Sequence, residues 1–374
     1  MKIVFTGGGT GGHILPLIAV ARELRRSSPL NTLQMFYLGP DDQFSRMLFL
    51  QEGVSVSSIL SGKLRRYWNP QSVLQNIFDV TLKIPAGILV AFWKLFFIAP
   101  DVILSKGGYG ALPVTIAGWI LRIPIFLHES DVAPGLANQI AGRFAVEIFA
   151  SFPYTEQISK KKIILVGNPI RKEILTGSPK EAASIFHLQG GRPILLIVGG
   201  SQGAQRINDI LLQIIGEMTK SVETIHQTGE KNFQQVKTEA MVMLSKEQQE
   251  YYHPVPFLKE TELRHAYAAA DFIISRAGSG SIFEIAALGK PSLLIPLPEA
   301  AQAHQLKNAY SYGKTGAAIV LEESNLTPHF FWEKIRTVLS SPKISSAMSQ
   351  AAQEFARPNA ARIIATYILE YLKK

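Results

Sequence analysis

Met1-Lys2-Ile3-Val4-Phe5-Thr6-Gly7-Gly8-Gly9-Thr10-Gly11-Gly12-His13-Ile14-Leu15-Pro16 opens the chain. An apolar run of strand length, Lys2 to Phe5, enters a glycine-rich turn and leaves it as an amphipathic helix from about Pro16 to Arg26. A strand that feeds a helix through glycines is the first half of a βαβ unit. Further strand-type runs stand near Leu33 to Leu38, Val54 to Ile59, Val102 to Leu104, Ile123 to Leu127, Glu147 to Ala150 and Ile163 to Val166, with helical stretches between most of them. A second series begins at Pro193 to Val198 and continues through Thr224 to Gln227, Asp271 to Ser275, Ser292 to Ile295 and Ala317 to Leu321. Strands alternating with helices predict parallel sheets, so the fold class is α/β with two doubly wound, Rossmann-like domains.

Val166-Gly167-Asn168-Pro169-Ile170-Arg171 carries breaker residues between the two series and reads as the linker. Pro358 suits the first turn of a final helix over Asn359 to Leu372. The boundaries expected are 1–166, 167–354 and a terminal helix in 355–374. The length of 374 residues agrees with about two to three domains.

Apolar residues make up 47% and charged residues 18%, a composition that excludes disorder and leaves the surface short of charge. The absence of cysteine excludes disulfides, thiolate metal sites and a cysteine nucleophile. The first residues lack the apolar core of a signal peptide, so the expectation is a cytoplasmic protein. A net charge of +9 favours an anionic partner. The basic clusters at Arg25-Arg26, at Lys63 with Arg65-Arg66 and at Lys160 to Lys162 accompany no nucleic-acid module, so nucleic acid is not the expected partner.

Ile84 to Ala99 reads IPAGILVAFWKLFFIA with one charge, Lys94. The sixteen residues fall short of the roughly 20 needed to span a bilayer. Two readings stand: a helix buried against the sheet, or a monotopic patch in which Phe92, Trp93, Phe96 and Phe97 insert beside basic neighbours.

Chemistry is expected on the loops that leave the carboxyl edges of parallel strands. Gly7, Gly9 and Gly12 have the G-x-G-x-x-G spacing that lets a backbone approach a diphosphate, a weak signal alone. The second strand lacks a clear ribose-binding acid directly at its end, where Gly39-Pro40-Asp41 stands, so the nicotinamide reading has little support. His13 suits general-base work on a hydroxyl. Lys106-Gly107-Gly108-Tyr109-Gly110 and His128-Glu129-Ser130-Asp131 leave neighbouring strands. In the second series, Val198-Gly199-Gly200-Ser201-Gln202-Gly203 and Ser275-Arg276-Ala277-Gly278-Ser279-Gly280-Ser281 offer backbone N–H groups to an anion, with Arg276 adding charge and Glu284 placed to accept from ribose hydroxyls. No Walker loop and no metal-ligand spacing occurs.

GGGTGGHILP at Gly7 to Pro16, KGGYGALP at Lys106 to Pro113, LHESDVAPGLANQ at Leu127 to Gln139, VGNPIR at Val166 to Arg171, VGGSQGAQRIND at Val198 to Asp209 and SRAGSGSIFEIAALGKPSLLIPLP at Ser275 to Pro298 together resemble the MurG family. These are membrane-associated transferases that add N-acetylglucosamine to the undecaprenyl-diphosphate-linked muramoyl-peptide of peptidoglycan synthesis. The resemblance covers essentially the whole chain. It implies a GT-B architecture of two Rossmann-like domains facing across a cleft, with the last helix crossing back to the first. It also implies an inverting displacement of UDP by the acceptor 4-hydroxyl, no cofactor and no catalytic metal, at the cytoplasmic face of the inner membrane.

By position, the resemblance makes His13 and Glu129 the catalytic candidates. Thr10, Gly11, Gly12, Asp131, Asn138, Arg171, Ser201, Leu258, Ser279, Gly280, Ser281, Ile282, Phe283, Glu284 and Gln305 become candidates for UDP-N-acetylglucosamine, with Tyr109 and His128 on the acceptor side. The implied partners are that donor, the lipid-linked acceptor and an anionic membrane surface, and the family's Asn is replaced here by Asp131. The alternatives are an NAD-dependent oxidoreductase using the first glycine loop, and a catalytically silent nucleotide-sugar-binding membrane protein, which Asp131 keeps open.

Overall fold

The computed structural model describes residues 1–8, 11–28, 32–62, 70–153, 163–199, 204–298 and 303–373. The chain divides into two compact units, Met1–Arg171 with Pro358–Lys374, and Lys172–Arg357. Thr10 and Ser201 lie outside the described residues, as do the clusters Lys63 to Arg66 and Lys160 to Lys162.

The first unit holds β1 (Lys2–Thr6), β2 (Gln34–Gly39), β3 (Ser55–Ser58), β4 (Val102–Ser105), β5 (Ile125–Glu129), β6 (Glu147–Ala150) and β7 (Ile163–Leu165). They form one parallel sheet in the order β3-β2-β1-β4-β5-β6-β7. The second unit holds β8 (Ile194–Val198), β9 (Glu223–Gln227), β10 (Tyr252–Val255), β11 (Phe272–Ser275), β12 (Ser292–Leu294) and β13 (Ala318–Val320), ordered β10-β9-β8-β11-β12-β13. In each sheet the winding reverses beside the first strand, between β1 and β4 and between β8 and β11. Ligands of open α/β sheets bind outside the carboxyl ends of strands at such a reversal. Both glycine-rich loops that follow β1 and β4, and those that follow β8 and β11, leave the sheets there.

The strands form because their residues are buried on both faces: Ile3, Val4 and Phe5 of β1, and Leu195, Leu196 and Ile197 of β8, are wholly enclosed. Helix Gly11–Ser27 covers one face of the first sheet, and the terminal helix Ala360–Tyr371 packs beside it, burying Ala361, Ile364, Ala365 and Ile368 in the same core. The edge strand β10 is absent from the sequence expectation. It reads Tyr-His-Pro-Val, and Pro254 is compatible with an edge, where a missing N–H breaks few ladder bonds.

The apolar segment differs from the expectation too. Helical structure runs without a break from Pro70 to Ile98, 29 residues, through a π-helical turn at Asp79–Lys83. That is long and apolar enough to cross a membrane by length and composition. Its packing is that of a surface layer helix: Gly87, Ala91 and Leu95 are buried against the first unit. A Cβ at Gly87 would run into the Leu60 carbonyl, so glycine is what lets this helix lie close. Phe92 is half-buried and packs on the core, which corrects its place in the proposed patch. Trp93, Phe96 and Phe97 are 56%, 56% and 77% exposed; Trp93 stacks on Phe97, and Phe96 meets both edge-on.

A buried polar chain stiffens the second unit. His226 is fully enclosed, with Nδ1 2.7 Å from Tyr252 Oη and Nε2 3.0 Å from Asn208 Oδ1, and Asn208 Nδ2 donates to the Thr228 carbonyl at 3.1 Å. Burial pushes its pKa from 6.5 down to about 3. The folded protein keeps His226 neutral while the unfolded chain protonates it below pH 6.5. Its stabilising contribution is therefore complete above pH 6.5 and is lost as pH falls toward 3, by about 1.4 kcal/mol per pH unit. His226→Gln is expected to flatten the acid side of the stability curve by about one proton in a denaturant titration at several pH values. An unchanged slope contradicts this assignment.

Candidate active site

At the reversal point of the first sheet, Tyr37 Oη donates to the Gly7 carbonyl at 2.8 Å and anchors the turn that follows β1. His13 lies in the first turn of helix Gly11–Ser27, half-buried, and its ring sits next to Gly108. Gly107 and Gly108 have φ of +80° and +79°, which L side chains rarely adopt. A Cβ at Gly107 would run into the Asn138 carboxamide, so this glycine admits the side chain that organises the neighbouring loop.

That loop is built around Glu129. Its Oε1 accepts the Asp131 backbone N–H at 2.9 Å and its Oε2 accepts Asn138 Nδ2 at 2.6 Å. Glu129 is 1% exposed, and burial first, then the charge of Asp131, raises its pKa. His128 is also 1% exposed. Its Nε2 lies 3.0 Å from the Gly167 carbonyl and 3.4 Å from Ser151 Oγ, and burial and then Lys106 push its pKa well below 6.5.

Glu129 is thus enclosed, with each oxygen accepting a bond from the loop it holds, and the enclosed His128 ring pins β5 to the Gly167 segment. Tyr109 and Asp131 are half-buried, Asn138 is buried, and Gly12 is exposed in the first turn beside the half-buried Gly11.

Gly107→Ala tests how much depends on that packing. It is expected to lower the melting temperature by about 2–4 °C for each kcal/mol of strain. Adding Asn138→Ala should recover part of that loss, since the clashing carboxamide is gone. A Gly107→Ala protein as stable as the parent contradicts the close approach.

The second unit repeats the device at its own reversal point. Helix Ser279–Ala287 follows β11 with Gly278 as its cap, so the N–H groups of Ser279, Gly280 and Ser281 begin a helix whose dipole favours an anion. Ser279 Oγ is buried and meets no hydrogen-bond partner among the described residues. Glu284 sits in the same helix, where Tyr267 Oη donates to its Oε2 at 3.3 Å. Gln305 Oε1 accepts the Leu297 N–H at 3.0 Å, and the Leu258 N–H donates to Gln227 Oε1 at 3.2 Å.

The side chains of Ile282 and Phe283 are in the core, so their candidacy is corrected to backbone at most. Arg276 is committed elsewhere: it pairs with Glu323 and donates to the Ile295 carbonyl at 3.2 Å, so it adds no free charge to the loop. Glu323 also pairs with Arg206 at the start of helix Gln205–Met218, and so ties that helix to the loop after β11. No local sequence pattern announces that strut. Arg171 is buried at the end of the first unit, 8% exposed.

Residues 3–150 match the glycosyltransferase family 28 N-terminal domain and residues 194–363 its C-terminal domain. Among curated proteins, the chain is 38% identical over 328 residues to the UDP-N-acetylglucosamine–N-acetylmuramyl-(pentapeptide) pyrophosphoryl-undecaprenol N-acetylglucosamine transferase 2 of Bacillus cereus, covering 87% of this chain and 88% of that one. It is 33% identical to the transferase of the same description from Treponema denticola, over 99% of this chain and 97% of that one. Among solved structures, Acinetobacter baumannii MurG superposes with a TM-score of 0.74 at 24% identity, covering 99% of each chain.

Proposed function

The chain belongs to glycosyltransferase family 28 and has the GT-B architecture, and from that premise we propose that it transfers N-acetylglucosamine from UDP-N-acetylglucosamine to lipid I, forming lipid II. Lipid I is the undecaprenyl-diphosphate-linked muramoyl-pentapeptide of peptidoglycan synthesis. The observation that carries the reading is the likeness to curated transferases over nearly the full length, through both sheets and all four loops at their reversal points.

The step is a direct displacement. The acceptor 4-hydroxyl oxygen forms a bond to C1 of the sugar, the bond from C1 to the diphosphate oxygen breaks with both electrons leaving on UDP, and the hydroxyl proton passes to a base. His13 is that base: it is the half-exposed imidazole beside the first glycine loop, and neutral imidazole is matched to the task near neutral pH. The N–H groups at the start of helix Ser279–Ala287 stabilise charge developing on the departing diphosphate. Glu284 suits the ribose hydroxyls, as a carboxylate has acceptor sites left beside its bond from Tyr267. Gln305 is assigned to the sugar hydroxyls. Asn138 and Asp131 act through the loop that Glu129 organises. Inversion and independence from metal ions belong to the same proposal.

The acceptor is a lipid, and the exposed Trp93, Phe96 and Phe97 supply an apolar surface for the membrane that holds it. On this reading the protein works as a peripheral protein on the cytoplasmic face of the inner membrane.

Donor selectivity separates this reading from the oxidoreductase. UDP-N-acetylglucosamine is expected to raise the melting temperature and NADH is not. Stabilisation by NADH alone contradicts the proposal.

A further inference from the structure

Lys106 follows β4 with 1% of its surface exposed, and its Nζ meets no hydrogen-bond acceptor among the described residues. A buried ammonium without acceptors is costly unless opposite charge is close. That charge is supplied by Glu129 and Asp131, both of which attract it.

Glu129 has the complementary difficulty. Burial and the like charge of Asp131 favour its protonated form, whereas Lys106 and its hydrogen bonds favour the ionised one. Each oxygen receives an N–H donor, one from the Asp131 backbone and one from Asn138, which a carboxylate accepts more strongly than a carboxylic acid. The groups that face this carboxylate are Lys106 from the end of β4, Asp131 from its own loop and Asn138 from helix Leu136–Phe144. His128 faces Lys106 and is held neutral by burial, and His13 stands beyond Gly108. Among the described residues, Lys106 is thus the one cation that acts on Glu129.

We propose that Lys106 is a positioning residue for the transfer reaction: it is the buried counter-ion that keeps Glu129 ionised in the presence of Asp131, and so holds the Glu129–Asp131–Asn138 loop in its working form. Asp131, which stands where the family has Asn, then has its charge compensated within the first unit. The inference rests on the transferase reading for its kinetic consequence and on the first unit alone for its structural one.

The test compares the parent with Lys106→Met, Lys106→Arg, Asp131→Asn and the Lys106→Met/Asp131→Asn pair, all as full chains. In acceptor-dependent UDP release, Lys106→Met is expected to move the acidic limb of the kcat–pH profile up by about one pH unit and to lower kcat near neutrality by roughly tenfold. Its KM for UDP-N-acetylglucosamine should stay within about twofold, because the donor contacts named above lie chiefly in the second unit. Adding Asp131→Asn should return most of kcat, and Lys106→Arg should keep the limb where the parent has it. An unmoved limb in Lys106→Met, or no recovery in the pair, overturns the proposal.

Thermal unfolding provides a readout that needs no turnover. Lys106→Met should lose stability at about pH 8, where its Glu129 is left ionised without a cation, and regain it at about pH 6 or when Asp131→Asn is added. If no protein in the set, the parent included, releases UDP, the transferase reading fails while this comparison still decides the role of Lys106. The same pH dependence of melting in parent and Lys106→Met overturns it.

Discussion

His13→Ala is expected to lower acceptor-dependent UDP release by about 10²- to 10⁴-fold, the range that a positioned acid–base group contributes. The enclosure of its neighbours concentrates this expectation on one residue. Glu129 and His128 are each 1% exposed and bonded to internal partners, so both are enclosed where His13 is not. His13 is half-buried at the start of a helix, next to a glycine that leaves room beside its ring. Donor affinity should remain within about threefold, since ground-state binding of the nucleotide rests on other residues. Unchanged turnover removes His13 from the mechanism. Loss of donor binding together with turnover makes it a support of the glycine loop instead.

Replacing Trp93 and Phe97 together by serine is expected to reduce binding to anionic vesicles by roughly 100-fold, as about 3 kcal/mol of apolar transfer is removed. The two side chains are 56% and 77% exposed, so little core packing is lost and the melting temperature should change little. The buried stripe Gly87, Ala91 and Leu95, which fixes the helix to the unit, is untouched by these substitutions. Turnover on a water-soluble acceptor analogue should be retained while turnover on vesicle-borne acceptor falls. Vesicle binding equal to the parent's, in a folded double variant, contradicts membrane docking through this helix.

Much of the fold was legible because parallel strands buried on both faces appear as unbroken apolar runs, such as Ile3-Val4-Phe5 and Leu195-Leu196-Ile197. The strand that escaped, β10, is short, carries Pro254 and lies at an edge, so it lacks that signature. The exposure of Trp93 and Phe97 was equally hidden. Composition gives the apolarity of a helix, but only packing decides which of its faces is covered.

In the candidate site, strand-end glycines and polar residues were readable as loops gathered at one edge. What each polar residue does there was not. Ser105 of β4 pairs in register with Leu127 of β5, and this alignment brings Lys106 and Glu129 to one end of the sheet although they stand 23 positions apart in the chain. The bond from Asn138 to Glu129 and the pairing of Glu323 with both Arg206 and Arg276 are likewise products of tertiary approach. No local pattern announces them.

Transfer to lipid I is tested by measuring UDP release from UDP-N-acetylglucosamine with a short-chain lipid-linked muramoyl-peptide acceptor, in the presence of EDTA. The expected release requires the acceptor, persists in EDTA and yields a disaccharide-bearing lipid. Binding of the donor without release, at any acceptor concentration, would contradict it and establish a nucleotide-sugar-binding protein in place of a transferase.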